Sequence, residues 1–300
     1  MKVLISDKVD TGCVGILEEG GDITVDVKTD LTPDQLLEII GDYDGLVVRS
    51  ATKVTAAVLE RASRLRAIGR AGAGVDNIDS DAATRAGVVV MNTPGGNSVS
   101  TAEHTISMMM SLARNIPQAN ISVKDGKWDK SAFTGVELTG KTIGVFGLGQ
   151  VGREVAKRAS ALGMRVLAYD PPFTPEVAQS YGAVLLSAEE IWPEADFLTF
   201  HVPLTDQTRH RLSTAELAQC KDGVRVINCA RGGIVDEAAL LDGLESGKVA
   251  GAATDVFEQE PPVPGSALVA HDRVICTPHL AASTKEAQVN VALQVAQQVR

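Results

Sequence analysis

Short apolar runs alternate with amphipathic stretches from the first residues onward. Residues 2–6, 23–27, 45–49, 65–69 and 88–91 read as strands, with helical patterns at 14–19, 33–40, 56–62 and 80–86 between them. Pro33 suits a first helical position with Thr32 as its N-cap, and Ser80 or Asp79 caps the later helix. Several of these strands lack polar alternation, which requires a sheet covered on both faces. Strand–helix–strand alternation makes such a sheet parallel, with right-handed crossovers.

The pattern changes after Asn92-Thr93-Pro94-Gly95-Gly96. Residues 99–114 form one long helical stretch, with Met108, Met109 and Met110 inside it as packing residues and Pro117 beyond its end. A polar loop over 124–131 follows, including Trp128. A second alternating series starts at Lys141, with strands at 142–146, 165–169, 197–202, 224–228, 250–254 and 274–276. Six parallel strands is the count of a dinucleotide-binding fold. Residues 283–300 are helical and carry no glycine stop, so a further C-terminal domain is expected beyond them.

Composition narrows the class. The 300 residues hold 28 basic and 38 acidic side chains, a net charge of −10, which disfavours nucleic acid and anionic membranes as main partners. Hydrophobics at 44% and charged residues at 22% are those of a folded chain, and the length allows roughly two domains. With only 6 Phe, 3 Tyr and 2 Trp, the core must be built from aliphatic residues. No apolar run is long enough to span a membrane, and the first residues, MKVLISD, carry no secretory signal. Cys13, Cys220, Cys229 and Cys276 lie far apart with no C-x-x-C pair, so we expect no metal site, no disulfides and a cytoplasmic location.

The sharpest motif is Gly147-Leu148-Gly149-Gln150-Val151-Gly152, a G-x-G-x-x-G between a predicted strand and a predicted helix. Gly147 permits the tight turn, Gly149 lets a pyrophosphate approach the backbone, and Gly152 lets the helix pack on the strand. Amide N–H groups from Gln150 onward then face the phosphates. Asp170 ends the next strand, 18 residues after Gly152, at the position of an acid that accepts from the adenosine ribose. The residues that follow, Pro171, Pro172 and Phe173, bring no cation for a 2′-phosphate, so NAD is the expected cofactor. The second glycine string, Gly69-Arg70-Ala71-Gly72-Ala73-Gly74, is followed by a strand ending in Met91-Asn92 with no acid. It is therefore read as a close approach to a small ligand, with Arg70 supplying charge.

Three further residues fall just beyond strand ends, where parallel sheets place their ligands. They are Arg231 after 224–228, Glu260 after 250–254 and His279 after 274–276. An Arg can hold a carboxylate bidentately, a His can exchange a proton with a hydroxyl, and a neighbouring Glu can orient that His. Together with a dinucleotide loop, they suit oxidation of a 2-hydroxy acid or the reverse.

At these residues the chain resembles the D-isomer-specific 2-hydroxyacid dehydrogenases. The resemblance rests on VRSATKVT (48–55), GRAGAGVDNID (69–79), VMNTPGGNS (90–98), GLGQVGREVA (147–156), NCARGGIVDE (228–237), DVFEQEPP (255–262) and PHLAASTKEAQ (278–288). It implies an α/β chain of two doubly wound parallel-sheet domains. A Rossmann NAD domain over 94–280 would be inserted in a flavodoxin-like substrate domain made of 1–93 and 281–300. It also implies that Arg231 binds the carboxylate, His279 is the acid/base and Glu260 its partner. Cofactor contacts would fall on Gln150, Val151, Asp170, Val202, Pro203, Cys229, Ala230 and Asp255, the last near the nicotinamide carboxamide. Ala73 and Val202 stand where family members often have Thr.

For the substrate end we expect Arg49, Ser50, Lys53, Arg70 and Gly72, helped by Lys130 of a neighbouring subunit, to hold a phosphorylated 2-hydroxy acid. The resemblance further implies a homodimer or homotetramer, with the long helix after Pro94 linking the domains and building the dimer interface. Two rival readings stand beside it. One is a relative acting on glyoxylate, hydroxypyruvate or lactate. The other is an NAD(H)-sensing binding protein of the corepressor kind.

Overall fold

A computed structural model describes all 300 residues. The chain forms two compact units, Met1–Ser98 with Ala282–Arg300, and Val99–Ala281. Both are layered α/β sheets with every strand pair parallel.

The first unit has strands β1 (Lys2–Ile5), β2 (Thr24–Val27), β3 (Gly45–Val48), β4 (Ala67–Arg70) and β5 (Val89–Asn92), in the order β2-β1-β3-β4-β5. That is the flavodoxin-like order. Alternation along β1 sends Val3 and Ile5 to one face and Leu4 to the other. Val291, Ala292, Val295 and Ala296 of the terminal helix Lys285–Val299 cover the first face. Thr32 caps its helix in a full capping box with Gln35, and Pro33 opens that helix. Of the two caps considered for helix Ser80–Arg85, Asp79 is the one used; its side chain accepts from Ala82 N–H.

The second unit contains β6 (Thr142–Phe146), β7 (Arg165–Tyr169), β8 (Ala183–Leu185), β9 (Phe197–Phe200), β10 (Val224–Asn228), β11 (Val249–Thr254) and β12 (Val274–Cys276). Their order is β12-β11-β10-β9-β6-β7-β8. This is the dinucleotide-fold order with one strand added beyond the sixth, and the switch point lies between β6 and β9. Seven strands replace the six expected because β8, three residues at the sheet edge with Val184 exposed, offers no buried apolar run.

The sheet is buried on both faces. Phe146, Leu198, Phe200 and Trp192 build one layer, while Ile143, Val145, Phe197 and Ile227 meet Met108, Met109 and Leu112 of helix Ser98–Arg114 in the other. Met108 and Met109 are buried as packing residues, and Met110 faces out. That helix stops at Asn115, which takes a left-handed conformation (φ 52°), and a second helix, Ile116–Lys124, begins at once. Pro117 stands in its first turn, where the missing N–H costs nothing. The proline lies beyond the end of the first helix, as the sequence pattern predicts; the second helix is the addition. No helix is long and apolar enough to cross a membrane.

Candidate active site

The glycine loop joins β6 to helix Gln150–Ala161. Gly147 has φ +96°, and a methyl group on residue 152 would run into the Gly147 carbonyl, so neither place accepts a larger residue without movement. Gly149 is the N-cap and has no side chain to satisfy the first helical N–H groups. Those of Gln150, Val151 and Gly152 therefore point where an anion could receive them. Asp170, after β7, accepts from the Leu148 N–H at 2.7 Å through one carboxylate oxygen. This bond ties the acid to the loop and leaves its other oxygen for ribose hydroxyls. Arg153 steadies the same turn by donating to the Leu148 carbonyl at 2.9 Å while its guanidinium lies over Phe173 and Tyr181. These donors and the acid fit an unphosphorylated adenosine ribose and its pyrophosphate.

Past β9, Val202 is partly buried against the Phe146 layer, and the exposed Pro203 turns the chain, its carbonyl accepting from Thr208 Oγ1 at 2.5 Å. Past β10, Asn228 organises the next loop: its Oδ1 accepts from Ala230 N–H and its Nδ2 donates to the Arg231 carbonyl. Cys229 is buried, and burial foremost pushes its thiol up to about 12, so it is a neutral packing group. The half-buried Arg231 donates from Nη1 to the Ala230 carbonyl at 2.6 Å.

The structure brings His279 and Glu260 together. His279 Nδ1 lies 2.7 Å from Glu260 Oε2, with side chains 48% and 38% exposed, which leaves Nε2 as the imidazole atom free to exchange a proton. His279 holds a left-handed backbone (φ +52°), uncommon for a non-glycine residue and costly unless its surroundings enforce it. Asp255 does the enforcing. Its carbonyl accepts from the His279 N–H at 2.9 Å, and its carboxylate accepts from Leu280 N–H (2.7 Å), Ala281 N–H (2.9 Å) and Thr277 Oγ1 (2.6 Å). His104, from helix Ser98–Arg114, adds its Nε2 at 3.4 Å from Asp255 and 3.1 Å from Thr277 Oγ1. Burial works to raise the Asp255 carboxyl, but these bonds outweigh it and hold the group below its usual value.

Of five histidines, only His279 is both exposed and held by one partner suited to proton exchange. His201 is bonded to Thr199 Oγ1, and burial pushes it down to about 3, so it stays neutral. His104 is engaged with Asp255 and Thr277, His210 lies between Asp236 and Glu258, and His271 Nδ1 accepts from Arg273 N–H.

The expected substrate residues other than Lys130 lie in the first unit, at or just beyond the ends of β3 and β4. Asp7 organises them. It accepts from Arg49 N–H (2.6 Å) and from Thr52 N–H and Oγ1, fixing the turn that displays the exposed Ser50 and Lys53. Asn77 donates to the carbonyls of Arg49 and Thr52 and accepts from Arg70 Nε at 2.8 Å. The Arg49 side chain donates to the Lys8 carbonyl. Gly72 is buried, with its N–H on the Arg70 carbonyl and its own carbonyl accepting from Thr93 N–H. Lys130 is exposed in the second unit, at the start of the short turn Ser131–Phe133. Sequence reading had not singled out Asp7, Asn77, His104 or Thr277; their contribution is to hold other residues rather than to present chemistry.

The second unit thus has the strand order and edge chemistry of a nucleotide-dependent dehydrogenase. Residues 106–281 match the family described as D-isomer specific 2-hydroxyacid dehydrogenase, NAD binding domain, and the chain belongs to that family. Over 297 residues it is 57% identical to the D-3-phosphoglycerate dehydrogenase of Rattus norvegicus, an alignment covering 99% of this chain and 55% of that one. The chain therefore spans about half the length of the curated relatives it matches. Among solved structures, a glyoxylate reductase from Paecilomyes thermophila superposes with a TM-score of 0.91 at 30% identity, covering 99% of this chain and 93% of that one. A D-lactate dehydrogenase from Aquifex aeolicus, complexed with NAD and lactic acid, gives 0.87 at 29% identity, covering 100% and 94%.

Proposed function

We propose that this chain catalyses NAD-dependent oxidation of 3-phosphoglycerate to 3-phosphohydroxypyruvate, the opening step of the phosphorylated route to serine. The observation that carries the chemistry is the 2.7 Å pair between His279 and Glu260, on loops beyond adjacent strands of the sheet that bears the glycine loop. The substrate is supported by the identity to a phosphoglycerate dehydrogenase along nearly the whole chain.

Gln150, Val151 and Gly152 would receive the pyrophosphate and Asp170 the ribose, with Val202, Pro203, Cys229, Ala230 and Asp255 along the remaining edge. When bound, NAD supplies the two-electron acceptor. Arg231 orients the substrate carboxylate, and His279 takes the 2-hydroxyl proton through Nε2 as that carbon becomes a carbonyl. Glu260, on Nδ1, fixes the ring and balances the charge it gains. Arg49 and Arg70, with Ser50, Lys53 and Lys130, supply the cations and donors for a phosphate.

The test follows NADH absorbance with 3-phosphoglycerate, against lactate, glycerate and malate. We expect turnover with the phosphorylated acid to dominate. Arg70→Ala should lower kcat/KM for it by about tenfold or more while sparing glycerate, as loss of a charge-assisted phosphate contact predicts. Equal losses for both substrates would remove the phosphate role. Turnover with lactate alone would replace the substrate.

A homodimer is part of the proposal. Met110, Ile116, Ile121, Val123 and Trp128, the last 78% exposed, leave an apolar stretch along two helices and the loop after them. Light scattering should give about twice the 31.5 kDa chain mass, and Ile121→Glu should shift it toward one. A wild-type monomer at tens of micromolar would dismiss this part. Four free thiols support a cytoplasmic location, which cell fractionation would check.

A further inference from the structure

Arg211 carries a cation with an unusual setting. Its guanidinium carbon lies 5.1 Å from the Tyr169 ring centroid, 5.6 Å from Trp192 and 5.8 Å from Phe146. Phe146 and Trp192 stack face to face, with centroids 4.3 Å apart. Nothing charged answers the guanidinium: it makes no ion pair and no hydrogen bond, although the side chain is half-buried. An arginine this desolvated normally spends its five donors on a carboxylate or on backbone carbonyls.

Its place in the fold says what the charge faces. Phe146 is the last residue of β6 and Tyr169 the last residue of β7, so Arg211 sits at the carboxyl ends of the two strands that flank the glycine loop. Asp170, read as the ribose acceptor, directly follows Tyr169. Beyond the ribose a dinucleotide continues into its adenine, and that ring needs flat, apolar or cationic surfaces on either side. Tyr169, Val202 and Leu204 are all partly buried on the same layer and leave such a rim.

The geometry points to Arg211 as a specificity-determining residue for the adenine end of the cofactor, its guanidinium stacking on the base while the aromatic rings support it from beneath. The inference rests on the NAD reading above. A planar guanidinium can lie over a purine and attract its π-face while its in-plane N–H groups stay in water, which a hydrocarbon side chain cannot do. Sequence reading looked for a cation only in the residues after Asp170, and Arg211 reaches this edge from 41 positions further along.

Calorimetric titration of the full chain separates the possibilities, with NAD, AMP and nicotinamide mononucleotide as probes. Arg211→Ala is expected to weaken NAD and AMP about fivefold or more and leave nicotinamide mononucleotide unchanged. Arg211→Leu keeps the rings covered but removes the cation; it should lose affinity for AMP likewise, and Arg211→Lys should recover part of it. Wild-type affinity in Arg211→Leu, or equal losses for AMP and nicotinamide mononucleotide, would overturn the assignment while leaving NAD binding itself intact. A wild-type chain that binds no NAD would overturn both the cofactor reading and this one.

Discussion

If the proposed function holds, His279→Asn is expected to lower kcat for 3-phosphoglycerate oxidation by about 10²- to 10⁴-fold, the range for losing a positioned acid/base group. Asparagine is close in length and can still hydrogen-bond to Glu260, so the loop keeps its course. What it cannot do is accept a proton at the Nε2 position. Calorimetric affinity for NAD should stay within about twofold, because the glycine loop and Asp170 lie on β6 and β7 and share no hydrogen bond with His279. Stopped-flow kinetics should place the loss in the chemical step rather than in product release. Glu260→Gln is the milder change: it keeps an acceptor on Nδ1 but removes the charge that offsets an imidazolium, so its kcat should fall between the two. A His279→Asn chain that turns over at near wild-type rate would transfer the proton to another group. None of the other four histidines is placed to receive it, so the hydroxy-acid mechanism would need a different base altogether.

How far this site was visible without coordinates differs residue by residue. Strands β6, β9 and β10 could be seen because a strand buried on both faces must be apolar throughout, and the residue just past such a run lies on the ligand edge. That rule leads to Asp170 directly after β7 and, three to six residues past the ends of β10, β11 and β12, to the candidates Arg231, Glu260 and His279. It does not find β8, whose Val184 is exposed and whose three residues repeat nothing. Nor does it foresee helix Ile116–Lys124, because proline stops a helix or starts one according to the conformation of the residue before it, and Asn115 takes the left-handed one. The hydrogen bonds that support the site are hidden for another reason. His104 meets Thr277 across 173 positions and Asp255 meets Ala281 across 26, and no local periodicity links such residues. Asp255 itself was noticed, but for a cofactor contact. The structure adds that its carboxylate is fully buried and spent on the loop that carries His279. Arg211 was passed over in the basic run Arg209-His210-Arg211, where composition alone suggests solvent.

Asp255→Asn is expected to lower unfolding stability by about 2–4 kcal/mol near neutral pH, the cost of replacing a buried charged acceptor by an amide that meets N–H groups with an N–H of its own. The carboxylate accepts from Leu280, Ala281 and Thr277, and an asparagine has one acceptor oxygen to offer where two are used. The pH dependence identifies the group. Because the folded-state value of Asp255 is lowered, the folded chain binds fewer protons than the unfolded chain in the acid range. Its contribution is therefore fully present above the ordinary aspartate value of about 3.9 and is lost as pH falls through the lower folded-state value. Urea unfolding of wild type and variant should differ by a constant amount from about pH 5 to 8, and the two curves should begin to approach each other as pH falls below about 4. Thr277→Val removes one of the three donors and should produce a smaller gap of the same shape. Because the Asp255 carbonyl also holds His279 N–H, relaxation of this loop should raise KM and lower kcat together in Asp255→Asn, with NAD affinity as the readout that separates the loop from a direct cofactor contact. A loss with no pH dependence anywhere in the acid range, or unchanged stability at neutral pH, would show that this carboxylate does not clamp the loop of His279, and the left-handed backbone there would then need another source of support.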